Sequence, residues 1–295
     1  MFFIFILGRI IFFVYTWSDM SIGTIALDID GTITDQSHLI PDEVASFFEE
    51  LFHEGWHFIF VTGRPLSYTL RTLPKLCFPY SLGVQNGSVL LEMPEKKEVG
   101  RAYLSMDLIK EMDRLHKGFE GDFLVYSGYE TGDFCYFRPS HFSEEMLSYL
   151  KKVEKVSDAP WVPLSSFDEM NQSEFPLIKC VGKKKEMETF NQKLKHFGEV
   201  KTTLIKDPLS ETLYLLLITH KEADKGIAVK KLMKKKPLIT GGNDNNDIPL
   251  LQEGCERIAI EGSPKELLSL ATIVAPPSEK MGIIDALKEA LRRLK

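Results

Sequence analysis

Four cysteines in 295 residues, none of them in a C-x-x-C pair, leave no raw material for a disulfide framework or a thiolate zinc site. Cys77, Cys135, Cys180 and Cys255 instead fit a reducing, cytoplasmic setting. Positive charge is also short. A net charge of −6 argues against a nucleic-acid binder that works by neutralising phosphates. The local basic runs at Lys183–Lys185 and Lys234–Lys236 read as solvated helix ends or turns. No internal repeat or low-complexity tract is present. A comfortable membrane-spanning run is missing too. Residues 1–17 are almost wholly apolar and aromatic, but Gly8 and Arg9 interrupt them near the middle. Neither a basic leader nor a small-residue cleavage site accompanies them. The expectation is therefore a chain that starts at Met20, with residues 1–19 a mis-assigned extension; a membrane anchor is the alternative.

What remains is ordinary for a globular protein: 44% hydrophobic and 26% charged residues, at a length that favours two domains. The organising stretch is Ile22–Thr34. Its β-forming run to Leu27 reads as a strand buried on both faces, and it ends abruptly in Asp28, Asp30, Gly31 and Thr32. Two carboxylates at such a strand end are costly unless a cation meets them. A helix opening at Pro41, a strand over Trp56–Val61, a helix to about Leu73 and a strand at Leu82–Gln85 continue a β-α-β-α-β rhythm. From Ser88 the rhythm changes. Strands at Ser88–Glu92 and Val99–Leu104 precede helices at Ser105–His116, Ser143–Val156 and Lys184–Phe197. Hairpins are expected around Gly132 and between Val200 and Thr219, and a loop over Ser157–Ser173. The parallel rhythm returns at Lys225 and closes with a helix from Gly282. The reading is an α/β core over residues 20–87 and 220–295, with an α+β insert over 88–219.

Four clusters fall at the carboxyl ends of expected core strands or at a helix start facing them. They are Asp28 with Asp30 and Thr32; Thr62, Gly63 and Arg64; Lys225; and Gly242–Asp247. Phosphoryl transfer needs these groups: a carboxylate nucleophile, a second carboxyl to move protons, and a hydroxyl and a lysine to balance phosphate charge. A hard, oxygen-liganded magnesium ion lets one anion approach another. The segments DIDGT (28–32), VTGRP (61–65), DKGIA (224–228) and GNDNNDIPLL (242–251), in this order, resemble the four motifs of the haloacid dehalogenase-like hydrolases. The insert resembles the type IIB cap of the Cof-type phosphatases, and Met281–Leu287 is typical of the same group. The short linker from Asp30 to Pro41 leaves no room for a helical cap, whereas most of the chain between Thr62 and Lys225 is free to form one.

The resemblance implies a Rossmann-like core of the haloacid dehalogenase fold and a magnesium-dependent phosphatase working through an aspartyl-phosphate. Small phosphorylated metabolites, sugar phosphates first, are the implied partners; nucleic acid and membrane are not, and the oligomeric state stays open. Asp28 would be the nucleophile and Asp30 the general acid/base. Thr62, the amide of Gly63, Lys225, Asn86 and Asn246 would serve the phosphate, with Arg64 either on substrate or in a salt bridge. Asp28, the Asp30 carbonyl, Asn243 and Asp247 would hold magnesium. Position 243 departs from the family pattern, which expects aspartate there; an amide brings no charge. A weaker metal site, rescue by the adjacent Asp244, and a binding protein without activity are the alternatives. A phosphomutase is the other enzymatic reading. His38, His53 and His57 read as surface or packing residues, and Asp133, Arg138 and His141 as cap residues that could face the site.

Overall fold

The computed structural model describes residues 5–6, 9–10, 21–34, 38–157, 160–207 and 209–295. The expected start at Met20 and the extension over 1–19 lie outside these residues, apart from a short ladder of β1 (Phe5–Ile6) with β2 (Arg9–Ile10). The apolar runs β3 (Gly23–Leu27) and β4 (Trp56–Val61) are buried almost throughout. Strands that bury both faces need helices on both sides, which is the environment of a parallel sheet.

That sheet has eight strands in the order β18-β17-β16-β3-β4-β5-β6-β7, with β5 at Tyr80–Val84, β6 at Val89–Met93, β7 at Lys97–Arg101, β16 at Leu238–Gly242, β17 at Glu256–Ile260 and β18 at Ile273–Ala275. Neighbours from β18 to β5 run parallel, while β6 and β7 add on antiparallel. One face packs against α1 (Asp42–His53), α2 (Leu66–Thr72) and α9 (Gly282–Arg293). The other is covered by α6 (Lys225–Leu232), α7 (Ile248–Glu253) and α8 (Lys265–Leu270). In α1, Pro41 precedes the first turn, Asp42 and Glu43 complement the helix dipole, and Val44, Phe48, Leu51 and Phe52 recur at helical spacing on the buried side. Phe48 meets Phe58 with ring centroids 4.9 Å apart, locking α1 to β4.

The inserted segment builds a six-stranded sheet of order β11-β10-β9-β13-β15-β14, formed by β9 (Phe123–Tyr126), β10 (Cys135–Phe137), β11 (Trp161–Pro163), β13 (Leu177–Lys183), β14 (Val200–Lys206) and β15 (Leu213–His220). One face buries Phe123, Val125, Ile178, Leu216 and Ile218 beneath α3 (Asp107–His116) and α5 (Lys184–Leu194). The other is partly covered by α4 (Glu144–Ser157). A separate two-stranded ladder joins β8 (Leu104–Ser105) to β12 (Glu174–Phe175).

Three expectations are corrected. A change of sheet does not occur at residue 88, because β6 and β7 extend the core sheet through residue 101. The stretch read as a loop over 157–173 contains β11, a three-residue strand beside β10, and a helical turn at Phe167–Glu169. Helix α8 had not been expected. Strands and helices this short carry too few residues to display a period. No helix among the described residues is long and apolar enough to cross a membrane.

Candidate active site

The register of the core sheet assembles the site. Leu27 of β3 lies between Phe60 of β4 and Gly241 of β16. The residues that follow, Asp28, Thr62 and the turn from Gly242, therefore emerge side by side at the carboxyl edge. The sheet order reverses at this point, where a crevice opens between strands leading in opposite directions. Gly31 takes a left-handed conformation (φ 69°) that turns the chain back, so that Thr32 Oγ1 donates to Asp28 Oδ2 at 3.1 Å.

Three charged groups meet beneath the crevice. Lys225 Nζ donates to Asp28 Oδ1 and to Asp247 Oδ1, at 2.6 Å in each case, and all three side chains are at most 5% exposed. Burial, and then the negative charge of Asp247, push the Asp28 carboxyl up to about 7 against the pull of Lys225. Burial alone would discharge the ammonium, but Asp247 and Asp28 outweigh it and hold Lys225 protonated.

The remaining expected residues divide. Thr62 is fully buried and its Oγ1 accepts from the amide of Arg64 at 3.1 Å, while Gly63 is exposed at the mouth. Arg64 does not turn toward the Asp28 crevice. It is buried, hydrogen-bonds the Thr72 hydroxyl, stacks 3.9 Å over the Tyr68 ring and ion-pairs with Asp30. Asn86 lies in a left-handed turn (φ 59°), where its Oδ1 accepts from Asn246 Nδ2 at 3.4 Å. In the turn after β16, Asp247 Oδ2 accepts from the amides of Asn243 and Asp244 at 2.9 and 3.0 Å. A side chain at 242 would strike Asp247, so glycine there is a steric requirement. Asp244 is exposed and caps the turn by accepting from the amide of Asn245, so replacing Asn243 as a metal ligand would cost that cap.

Magnesium is tested by the donor set. Asp28, Asp247, the Asp30 carbonyl and the Asn243 amide offer oxygen atoms, as a hard divalent cation requires. Two buried carboxylates share one ammonium, which leaves a negative charge uncompensated. The residues fit such an ion, although among the described residues no group of three His, Cys, Asp or Glu side chains stands placed to hold a metal.

Above the crevice, β14 and β15 of the inserted sheet close a cleft of about 700 Å³, lined by Lys201, Thr203, Leu217 and Thr219 on one side and Asn86, Lys225 and Asn246 on the other. Sequence reasoning passed over two of its residues. Lys201 ion-pairs with Asp224, which also caps α6. Alternation along β14 was the only signal available for Lys201. Of the cap residues that could have faced the site, Arg138 is occupied inside the insert by Asp113 and Asp122, with His141 3.5 Å from Asp122. Asp133 reaches across to the core, accepting from the amide of Ser67 at 2.8 Å.

Comparison with known proteins gives three concordant findings. Residues 25–287 match the family described as haloacid dehalogenase-like hydrolase. A Streptococcus pyogenes serotype M6 protein named as a candidate phosphatase is 22% identical over 283 residues, covering 92% of this chain and 98% of its own. Among solved structures, a haloacid dehalogenase-like hydrolase from Bacteroides thetaiotaomicron superposes with a TM-score of 0.73 at 15% identity, over 91% of this chain and 99% of its own. The subclass IIB sugar phosphatase BT4131 does so with a TM-score of 0.69 at 18% identity, over 91% and 98%.

Proposed function

Because the chain belongs to the haloacid dehalogenase-like hydrolase family, we propose that it is a magnesium-dependent phosphatase of small phosphorylated metabolites, sugar phosphates first among them. The observation that carries the reading is the buried Asp28–Lys225–Asp247 triad at the sheet's carboxyl edge, under a lidded cleft. The described cysteines are all free, which supports a cytoplasmic setting.

In this reading an Asp28 oxygen attacks phosphorus, a new O–P bond forms, and the P–O bond to the leaving group breaks. Asp30 gives the departing alkoxide a proton. Asp30 then takes a proton from water, which attacks the phosphorylated Asp28 and releases inorganic phosphate. Lys225 and Thr62 balance and orient the non-bridging oxygens. Arg64 holds Asp30 at the mouth rather than binding phosphate. Asp28, the Asp30 carbonyl, Asn243 and Asp247 would hold a magnesium ion, whose positive charge would let the anionic nucleophile approach an anionic phosphate. The cap keeps bulk water from the acyl phosphate and supports a small substrate over a phosphoprotein.

The test is release of free phosphate from an aryl phosphate and from a hexose phosphate with magnesium. Asp28→Asn should lower kcat at least ~1,000-fold. Equal rates for wild type and variant would remove Asp28 as nucleophile. Phosphate returned to the sugar instead of released would point to a mutase.

A further inference from the structure

Asp224 is the point at which three parts of the molecule meet. Its Oδ1 accepts from the amides of Gly226 and Ile227 at 2.9 and 3.2 Å, which caps α6. Its Oδ2 carries the Lys201 ammonium, which comes from edge strand β14 of the inserted sheet. Its carbonyl lies against Gly87, where an added side-chain carbon would come within 3.0 Å, so the turn that bears Asn86 is seated on the same residue. The next residue in the chain is Lys225, whose ammonium holds Asp28 and Asp247.

An ion pair between exposed side chains would be worth little. This one differs because the Asp224 side chain is 11% exposed and both of its oxygens are engaged. It is also a polar bond that joins cap to core within one residue of the site, and it lines the cleft itself. Without the docked sheet, Asp224 would lack its cationic partner and the first turn of α6 part of what fixes it. When the sheet docks, that turn and the lysine it carries are held in register with Asp28.

We propose that Lys201 and Asp224 are positioning residues, coupling closure of the cap to placement of the Lys225 ammonium on Asp28. The proposal rests on the phosphatase reading for its kinetic consequence and on geometry alone for the coupling. Full-length wild type, Asp28→Asn, Lys201→Met, Lys201→Arg, Asp224→Asn and the Lys201→Met/Asp224→Asn double variant are compared on a hexose phosphate with magnesium. Amide hydrogen exchange is followed in parallel.

Lys201→Met and Asp224→Asn should each lower kcat about tenfold with little change in KM. The double variant should be no worse than the poorer single, because both remove one link. Lys201→Arg should restore most of the rate. Exchange at the amides of Gly226 and Ile227 should quicken about fivefold in Lys201→Met, which keeps the length of a half-buried side chain and removes its charge. Wild-type kcat in both single variants, or losses that multiply in the double, would overturn the kinetic coupling. Should wild type release no phosphate, the phosphatase reading fails on its own, and should Asp28→Asn turn over like wild type, Asp28 is not the nucleophile. The exchange measurement then still decides, and unchanged protection in Lys201→Met overturns the proposal.

Discussion

His57 sits on β4, five residues before Thr62, the residue proposed to bind phosphate, and at the opposite end of the strand from the site. Its Nε2 lies 3.0 Å from the Ser81 hydroxyl. Burial, and secondarily the Lys234 ammonium, lower the imidazole to about 4. An unfolded histidine titrates near ~6.5. Folding must therefore expel a proton at any pH between those values. The native state carries no penalty above ~6.5, and stability drains away as pH falls toward 4, reaching a loss of about 3 kcal/mol. Urea unfolding at pH 7.5 and pH 4.5 measures it: His57→Gln should lose ~2–3 kcal/mol less than wild type over that interval. Parallel losses would show that His57 is not buried neutral. By spacing His57 reads as a surface or packing residue, and the structure places it on β4 beside Ser81. Arg64 was less legible, since its neighbours in sequence do not reveal that its side chain folds back onto Asp30, Thr72 and Tyr68.

At the scale of elements, the turn from Gly242 to Asp247 shows how much a motif encodes and where it stops. The resemblance marks the stretch as a motif, and the structure adds that its glycine, its capping Asp244 and its buried Asp247 each satisfy a local steric or hydrogen-bonding demand. Asn243 satisfies none. Its backbone amide serves Asp247, while its side-chain nitrogen lies over Gly31, in the space a side-chain carbon there would need. Asn243→Asp is thus isosteric and leaves the turn standing. Without metal, a further carboxylate near Asp28 and Asp247 should lower the melting temperature by a few degrees. With magnesium the order should reverse, and the metal concentration at half-maximal activity should fall about tenfold. If the variant's melting temperature does not respond to magnesium more strongly than wild type's, residue 243 does not face the ion. Short elements such as β11 and α8 escaped sequence reading for a different reason: they are stabilised by neighbours rather than by their own pattern.

For the whole molecule, the order core–insert–core was legible because the parallel rhythm stops after β5 and resumes at α6. How the two parts touch was not, since those contacts join residues far apart in sequence that belong to no motif. Asp133 is the plainest case. Helix α2 begins after Pro65 and has no side-chain cap of its own, and the insert supplies one from the loop between β9 and β10. The bond reaches the second residue of the helix that follows Thr62, Gly63 and Arg64, so the insert rests on the segment proposed to bind phosphate. Burial raises the Asp133 carboxyl against the pull of the Ser67 amide, and its other oxygen is buried without a hydrogen bond. The contact is therefore held by the docking of two surfaces and not by local preference. Asp133→Ala should cost about 1 kcal/mol, as loss of a helix cap does, and should speed exchange at the Ser67 amide. Asp133→Asn retains an acceptor and should preserve most of that protection. Amides of α9, on the far edge of the core, should be unchanged in both. Equal protection of Ser67 in wild type and Asp133→Ala would mean that the insert does not bear on α2 in solution.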